Sequence, residues 1–245
     1  MSGTRLLIYT MQLNDTTRGL PVATAGGTAI ITTAGSPRKA TLFNPDTGAS
    51  LANPVALTRG QLRFAVDSSV TSVDVYGFAP DGGFFTLAGV RAGAEAEIAY
   101  RVDQNEYTAI IPFAAQDYTA GTETTTGLQF RAGSLIQPDC CVRVTTLEAT
   151  RTLEVGLLSS ESGGDLDGFI DAISLANAGT IAPALTSAAP TLGALLVLSI
   201  ATTPAVSLPR THGISTTART ISITTSASTA AAQGYVMLPF LKPPF

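Results

Sequence analysis

The chain has 245 residues, 45% of them apolar, and a formal net charge of −4. Only 13% of residues are charged, with two lysines, one histidine, two cysteines and no tryptophan, against the ~25% charged share of ordinary soluble domains. This excludes disorder, which pairs low hydrophobicity with high net charge. It leaves little material for acid–base or metal chemistry, and no Lys/Arg cluster that would neutralise the phosphates of a nucleic acid.

Period-2 alternation recurs along the chain and helical periodicity hardly at all, so strands are predicted throughout. The first falls at 5–10, where the apolar patch 6–8 is far too short for a signal-peptide core. A soluble chain made in the cytoplasm is therefore expected. Gly26-Gly27 reads as a turn, since the lysine and following helix of a phosphate loop are missing. Strands follow at 28–33, 39–43, 55–57, 61–67, 72–78, 84–90 and 97–101. In 61–67, Leu62, Phe64 and Val66 alternate with Arg63 and Ala65; in 72–78, Val73 and Val75 alternate with Asp74 and Tyr76. Between them stand Gly35-Ser36-Pro37, Asn44-Pro45-Asp46-Thr47-Gly48, Asn53-Pro54 and Pro80-Asp81-Gly82-Gly83. Turn clusters at this spacing mark a β-sandwich or barrel. Glu95 and Glu97 fall at i,i+2, but nothing places a partner carboxylate opposite them, as glycoside hydrolysis would require.

The polar run Asp103-Gln104-Asn105-Glu106 is the best domain boundary. It predicts two all-β domains in tandem, each a β-sandwich or jelly-roll-like fold, over 1–103 and 107–245. Strands resume at 108–113, 127–130, 140–146, 152–157, 169–175, 194–200, 220–225 and 234–240. Ile110-Ile111-Pro112-Phe113 opens the second domain and Met237-Leu238-Pro239-Phe240 closes it. These matching phrases are either neighbours in one sheet or a chance similarity. A strand proline belongs on an edge or at a bulge, because it cannot donate to the ladder. Cys140 and Cys141 are adjacent; a disulfide between neighbours is strained, so two reduced thiols are expected, one buried and one facing outward.

The acidic segment Glu161-Ser-Gly-Gly-Asp165-Leu-Asp167-Gly168-Phe-Ile-Asp171 resembles the start of a calcium loop. Its glycine comes too early for an EF-hand and no bidentate Glu closes it. A plain hairpin turn explains Gly and Asp there for local reasons, with a calcium site as the alternative. No basic residue occurs from Thr152 to Pro209, so that surface is neutral to acidic. The Ala-, Pro- and Thr-rich stretch 183–209 reads as a long connection carrying one buried strand at 194–198. Its longest apolar run, 192–201, is too short and too interrupted to span a membrane. His212, in a loop-like stretch beside Gly213, has no nucleophile elbow or triad context and no paired metal ligands. It reads as a surface histidine. Residues 226–233 read as a loose hairpin loop or a flexible tip. No enzyme class, cofactor or metal is indicated.

The phrases GLPVATAGGTAIIT, KATLFNPDTGASLANPVALTRGQLRFAV and SSVTSVDVYGFAPDGGFFTLAGV resemble the N-terminal domain of head-associated structural proteins of tailed bacteriophages. IPFAAQDYTAGTETTTGLQF, RVTTLEATRTLEVGLLSSESGGDLDGFIDAISLANAG, TLGALLV and ARTISITTSAS resemble the β-rich domain that often follows it. The likeness covers about 5–241 in phrase order and composition, and carries over no site residues. It implies a virion protein that decorates and cements the capsid surface, is made in the host cytoplasm, and contacts the major capsid protein and copies of itself, as a trimer or another symmetric cluster.

Few charges and many threonines suit such interfaces, where burying a charge is costly. Candidate contact residues lie at the termini: Leu6, Ile8, Tyr9, Met11 and Leu13 at one, Phe240, Leu241 and Phe245 at the other. The N-terminal run reads first as an ordinary opening strand. For the tail, docking through Phe245 and disorder stand level. The alternative function is a tail, collar or head-fibre module that binds the host surface. Lacking tryptophan, it would have to use Tyr76, Phe84, Phe85, Tyr107 or Tyr118 against a sugar.

Overall fold

The computed structural model describes residues 6–15, 20–21, 26–92, 95–100, 104–114, 117–185, 191–200, 206–214, 216–226 and 231–243. Strands dominate, and no α-helix occurs among the described residues. The fold is all-β, of the β-sandwich or jelly-roll-like kind. The chain divides into two compact units between Gln104 and Asn105.

The first unit contains β1 (Leu6–Asp15), β2 (Leu20–Pro21), β3 (Thr28–Thr33), β4 (Leu42–Phe43), β5 (Ser50–Leu51), β6 (Val55–Ala56), β7 (Gln61–Asp67), β8 (Ser72–Phe78), β9 (Phe84–Arg91) and β10 (Glu95–Tyr100). One sheet runs β10-β1-β7-β4-β5 with β2 also on β1; the other runs β6-β3-β8-β9. The opening strand is longer than the sequence predicts and central to its sheet, antiparallel to β7 and parallel to β10. Its alternation explains its burial. Tyr9, Met11 and Leu13 are at most 1% exposed, whereas Thr10 and Gln12 on the opposite face are half-buried. Tyr9 lies across from Phe64 with rings stacked at 5.3 Å, the cross-strand aromatic pairing that stabilises sheets.

Two glycines fit the turn into β3: Gly26 and Gly27 both have positive φ, and a Cβ on Gly27 would meet the Phe78 carbonyl at 2.6 Å. Asp74 departs from simple alternation. It is 6% exposed because its two carboxylate oxygens accept hydrogen bonds from Gly35 N (2.8 Å) and Gly89 N (2.7 Å). Both glycines have positive φ, so one carboxylate ties the turn at Gly35 and the irregularity of β9 at Gly89 to β8.

The second unit contains β11 (Glu106–Ala114), β12 (Thr124–Phe130), β13 (Leu135–Ile136), β14 (Cys141–Thr146), β15 (Thr152–Leu157), β16 (Asp165–Ser174), β17 (Gly179–Ile181), β18 (Val197–Ile200), β19 (Val206–Pro209), β20 (His212–Gly213), β21 (Arg219–Thr225) and β22 (Gln233–Leu241). One sheet runs β17-β14-β22-β13-β20 with β11 on β22, and the other β12-β21-β15-β16. Phe130 on β12 meets Phe240 on β22 edge-on at 5.1 Å and Phe169 on β16 at 6.2 Å, so aromatic rings join the two sheets.

The two proline phrases are neighbours, with Ile110 opposite Met237 and Pro112 opposite Tyr235. Pro112 lies on β11, whose one partner is β22. Pro239 sits where β22 changes partner from β14 to β13, between Met237 paired with Cys141 and Phe240 paired with Ile136. The missing N–H thus falls at a break in the ladder. Many hydroxyls are used inside this unit. Thr126 Oγ1 donates to the Ile221 carbonyl at 2.8 Å, and Thr220 Oγ1 both accepts from Gln129 Nε2 (3.0 Å) and donates to Glu161 Oε1 (2.6 Å).

Candidate interaction surface

A short two-stranded ribbon, β18 with β19, stands apart from both main sheets of the second unit. The stretch read as one buried strand is instead a 3-10 turn at Ala194–Leu196 followed by β18, in which Val197 is half-buried and Leu198 exposed. Leu198 lies opposite Leu208 in register, and each is 45% exposed. The other pairs are Val197 with Pro209, Ser199 with Ser207 and Ile200 with Val206. From Ala172 to Pro209 there is no Asp, Glu, Lys, Arg or His. The two short strands carry no charge, and their paired leucines stand open to solvent.

The root of the ribbon is firmly held. Gly193 N donates to the Phe169 carbonyl at 2.9 Å and Asp171 N to the Thr191 carbonyl at 2.9 Å, so residues 191–193 lie against β16. A Cβ on Gly193 would run into the Asp167 carbonyl, and one on Gly168 would meet Leu195 Cδ1 at 2.5 Å. Glycine at both places lets the two segments touch. Leu196 is fully buried, and Arg210 returns to this root: its backbone N–H donates to Leu196 O at 2.8 Å and its guanidinium to Leu195 O at 3.0 Å.

Acidic side chains cluster beside this root. Asp165 and Asp167 lie within β16 and not in a turn; the turn comes earlier, with Glu161 N bonded to Leu158 O and Gly164 N to Glu161 O. Two other carboxylates fasten that turn. Glu123 accepts from the Ser159 N–H and hydroxyl, and Glu161 from the Thr220 N–H and hydroxyl. Burial works against Glu123 ionising, but the bonds from Ser159 outweigh it and hold the carboxyl below its ordinary range.

On β16, Asp165 shares a hydrogen bond with Asp167, which together with burial pushes its pKa up to about 6. Glu154 is raised by burial and by Asp167 and Asp171, and Asp171 by burial and Asp167. The register shift between Leu153/Ile173 and Val155/Ile170 sets Glu154 against both Asp171 and Ala172, the latter at φ 45°. Four carboxylates thus repel one another on β15 and β16. Among the described residues, no three His, Cys, Asp or Glu converge as metal ligands.

The remaining candidates divide clearly. Tyr9, Met11, Leu13 and Phe240 are core residues whose rings and chains point between strands, so they offer no contact surface. Leu6 and Leu241 are half-buried and Ile8 is 45% exposed. Phe245, like Asp103 and the loop tip 227–230, lies outside the described residues. The tail up to Pro243 packs on its own unit: Lys242 N donates to Asn105 O at 2.8 Å, and a Cβ on Gly133 would touch Pro243 at 2.9 Å.

His212 is not a loop surface residue. It pairs with Ile136 in β20 and sits half-buried edge-on to Phe169 at 6.4 Å, with its pKa lowered by burial and by Arg210. Cys140 is buried, with its thiol pushed up to about 12 by burial and then by Cys141; Cys141 is half-buried and also raised. Phe84, Phe85 and Tyr118 are at most 7% exposed, and Tyr107 stacks on Phe240 at 5.7 Å, so these rings serve the cores.

No family model matches the chain, and no curated protein matches it. Similar solved structures include the infectious bursal disease virus VP2 subviral particle, at 13% identity and a TM-score of 0.23, covering 98% of this chain and 56% of that one. The same virus's Gx strain structure gives 13% and 0.22, covering 96% and 70%. Its T=1 particles give 12% and 0.23, covering 96% and 53%. The chain therefore spans little more than half of the first of these. Superpositions this loose do not establish a common fold, and nothing about the present chain follows from them.

Proposed function

We propose that this chain is a structural component of a virus particle, one that coats and stabilises the capsid of a tailed bacteriophage. The observation that carries the reading is the ribbon. Leu198 and Leu208 face solvent on an uncharged two-stranded arm anchored by glycines to an otherwise well-packed β unit. Exposed leucines paired on such a ribbon are suited to burial against another protein. The sequence likeness to phage head proteins supplies the setting. A decorating role would use the major capsid protein as partner and an assembly of copies, such as a trimer, on the capsid surface. The host-binding alternative is left with half-buried Tyr76, because Phe84, Phe85 and Tyr118 are buried in the cores and Tyr107 stacks on Phe240.

The test is the copy number of the chain relative to the major capsid protein in purified particles. Hundreds of copies fit a decorating role. A handful to a few dozen would place the chain at a vertex, collar or tail, and none would sink the virion reading.

A further inference from the structure

We propose that Glu154, Asp171 and the hydroxyl of Thr224 form a binding site for a hard divalent cation, calcium or magnesium, on the face of the β12-β21-β15-β16 sheet turned away from its core. The site lies within the second unit and does not depend on the virion reading.

Three adjacent strands bring these groups together. On β15, Leu153, Val155 and Leu157 are at most 1% exposed and belong to the core, so Glu154 points to the opposite face. Its partner on β21 is Thr224, which stands between the core positions Ile223 and Thr225. Directly paired residues share a face, with Cβ atoms about 4.5–5.5 Å apart. On the other side β16 carries an extra residue. Leu153 pairs with Ile173 and Val155 with Ile170, so Asp171 and Ala172 together oppose Glu154. A bulge of this kind re-aims side chains that regular pairing would direct elsewhere.

The hydroxyl points to a ligand. Thr224 is only 7% exposed, yet its Oγ1 makes no hydrogen bond, whereas Thr220 on the same face of β21 bonds to both Glu161 and Gln129. A buried polar group left without a partner needs a physical account. The carboxylates beside it are uncompensated as well. Burial raises the pKa of Glu154, and Asp167 and Asp171 raise it further; Asp171 is raised by burial and by Asp167. Asp165 and Asp167 bond to each other and add negative field without acting as ligands. Of the basic residues that bracket the segment, Arg151 is paired with Glu148 at 3.0 Å, and Arg210 lies on the Leu195 and Ala194 carbonyls.

The donor set fixes the kind of ion and how tightly it is held. Among the described residues no three carboxylate, imidazole or thiol groups converge, unlike the closed cage of a tight calcium loop. Two carboxylates and a hydroxyl, with water in the remaining positions, suit a hard ion that keeps much of its hydration. The carboxylates supply the charge, and the hydroxyl oxygen gives a lone pair to the ion. Affinity on the order of 0.1–1 mM is expected of so open a site.

The experiment is calorimetry of the full chain, first stripped with a chelator and then given about 10 mM calcium or magnesium chloride. With that affinity the transition of the second unit should rise by about 3–10 °C, while the first unit's transition stays in place. Sodium chloride at matched ionic strength should not reproduce the shift. Glu154→Gln and Asp171→Asn should each melt no lower than wild type without the ion, because each removes a repelled charge. Each should also raise the calcium concentration that gives half the shift by about tenfold or more. Thr224→Val keeps the shape and should hold the ion-free melting temperature, while raising that concentration about fivefold. Asp46→Asn in the first unit should respond to calcium as wild type does.

No shift of the second transition with either ion overturns the proposal. A shift that sodium chloride reproduces also overturns it, since screening alone would then account for the effect. A shift that survives unchanged in Glu154→Gln and Thr224→Val places the ion elsewhere and overturns it too.

Discussion

Phe240→Ala separates a core role from a contact role for the C-terminal strand. The ring is 1% exposed, meets Phe130 of the facing sheet edge-on at 5.1 Å and stacks on Tyr107 at 5.7 Å with planes 24° apart. Truncating a buried phenylalanine costs about 3–5 kcal/mol through lost transfer energy and the cavity left behind. The two ring pairs are worth about 0.5–1.5 kcal/mol each, but they overlap with that figure, so about 4 kcal/mol is expected in all.

The second unit has 141 residues (245 − 104). For a unit of this size each kcal/mol moves the midpoint by about 2–4 °C, so its melting transition should fall by about 10–15 °C. Calorimetry is the assay, because the two units can melt separately and a single midpoint would mix them. Phe64→Ala in the first unit identifies the other transition. Phe240→Leu keeps most of the volume and should cost under about 1.5 kcal/mol. A Phe240→Ala shift under about 2 °C, or lost particle binding at an unchanged midpoint, would refute the core assignment.

Asp74→Ala should cost about 2–3 kcal/mol in urea unfolding, because it strands the Gly35 and Gly89 N–H groups that the carboxylate serves. Asp165 titrates near 6, above the ordinary value of 3.8. The folded state therefore holds this proton more tightly than the unfolded one, and the contribution is fully present below about pH 4 and lost as pH rises through 6. The shift is worth about 3 kcal/mol at face value, and about 1 kcal/mol once discounted for solvent around this half-buried group. Asp167→Asn should recover about that amount at pH 7 and bring the Asp165 carboxyl signal in NMR titration back toward its usual range. His212 runs the opposite way. Its lowered pKa means the unfolded chain binds its proton first, so His212→Gln should flatten the loss of stability as pH falls below about 6.5. In native protein at pH 8, Cys140 should not react fast with a disulfide reagent, since a thiol near 12 is only about 10⁻⁴ ionised there; a Cys141→Ser variant isolates it, and rapid reaction of Cys140 would contradict its burial.

The strand pattern was legible because alternation and turn residues point the same way in most of the chain. The runs 28–33, 61–67, 72–78 and 152–157 agree with β3, β7, β8 and β15 residue for residue, and the phrase shared by 110–113 and 237–240 located a real strand pair. Alternation fails where both faces of a strand are covered. Asp74 is buried in β8 because a turn glycine, Gly35, and a glycine at the irregularity of β9, Gly89, supply its donors, and β21 is buried at every position from Thr220 to Thr225. The long-range parallel pairing of β1 with β10 has no local signature at all, because nothing near Thr10 specifies Glu95 as its partner. The aspartates were misplaced for a related reason. Gly163 and Gly164 make the turn, whereas Gly168 is a strand glycine whose missing side chain admits Leu195.

The ribbon shows where reading burial from apolarity breaks down. Apolar residues fill cores, but an apolar run does not have to be inside, and the strand at 194–198 was assigned to the interior on composition alone. Its second strand, Val206–Pro209, was missed because Pro204 and Pro209 break the pattern that would have marked it. The charge map held the better clue. Ala172 to Pro209 carries no charged side chain, and four carboxylates lie beside the point where that stretch meets the sheet. Mutual repulsion among those carboxylates is a cost of the folded chain near neutral pH, and no local pattern signals it, because the register of β15 on β16 is what brings Glu154 against Asp171.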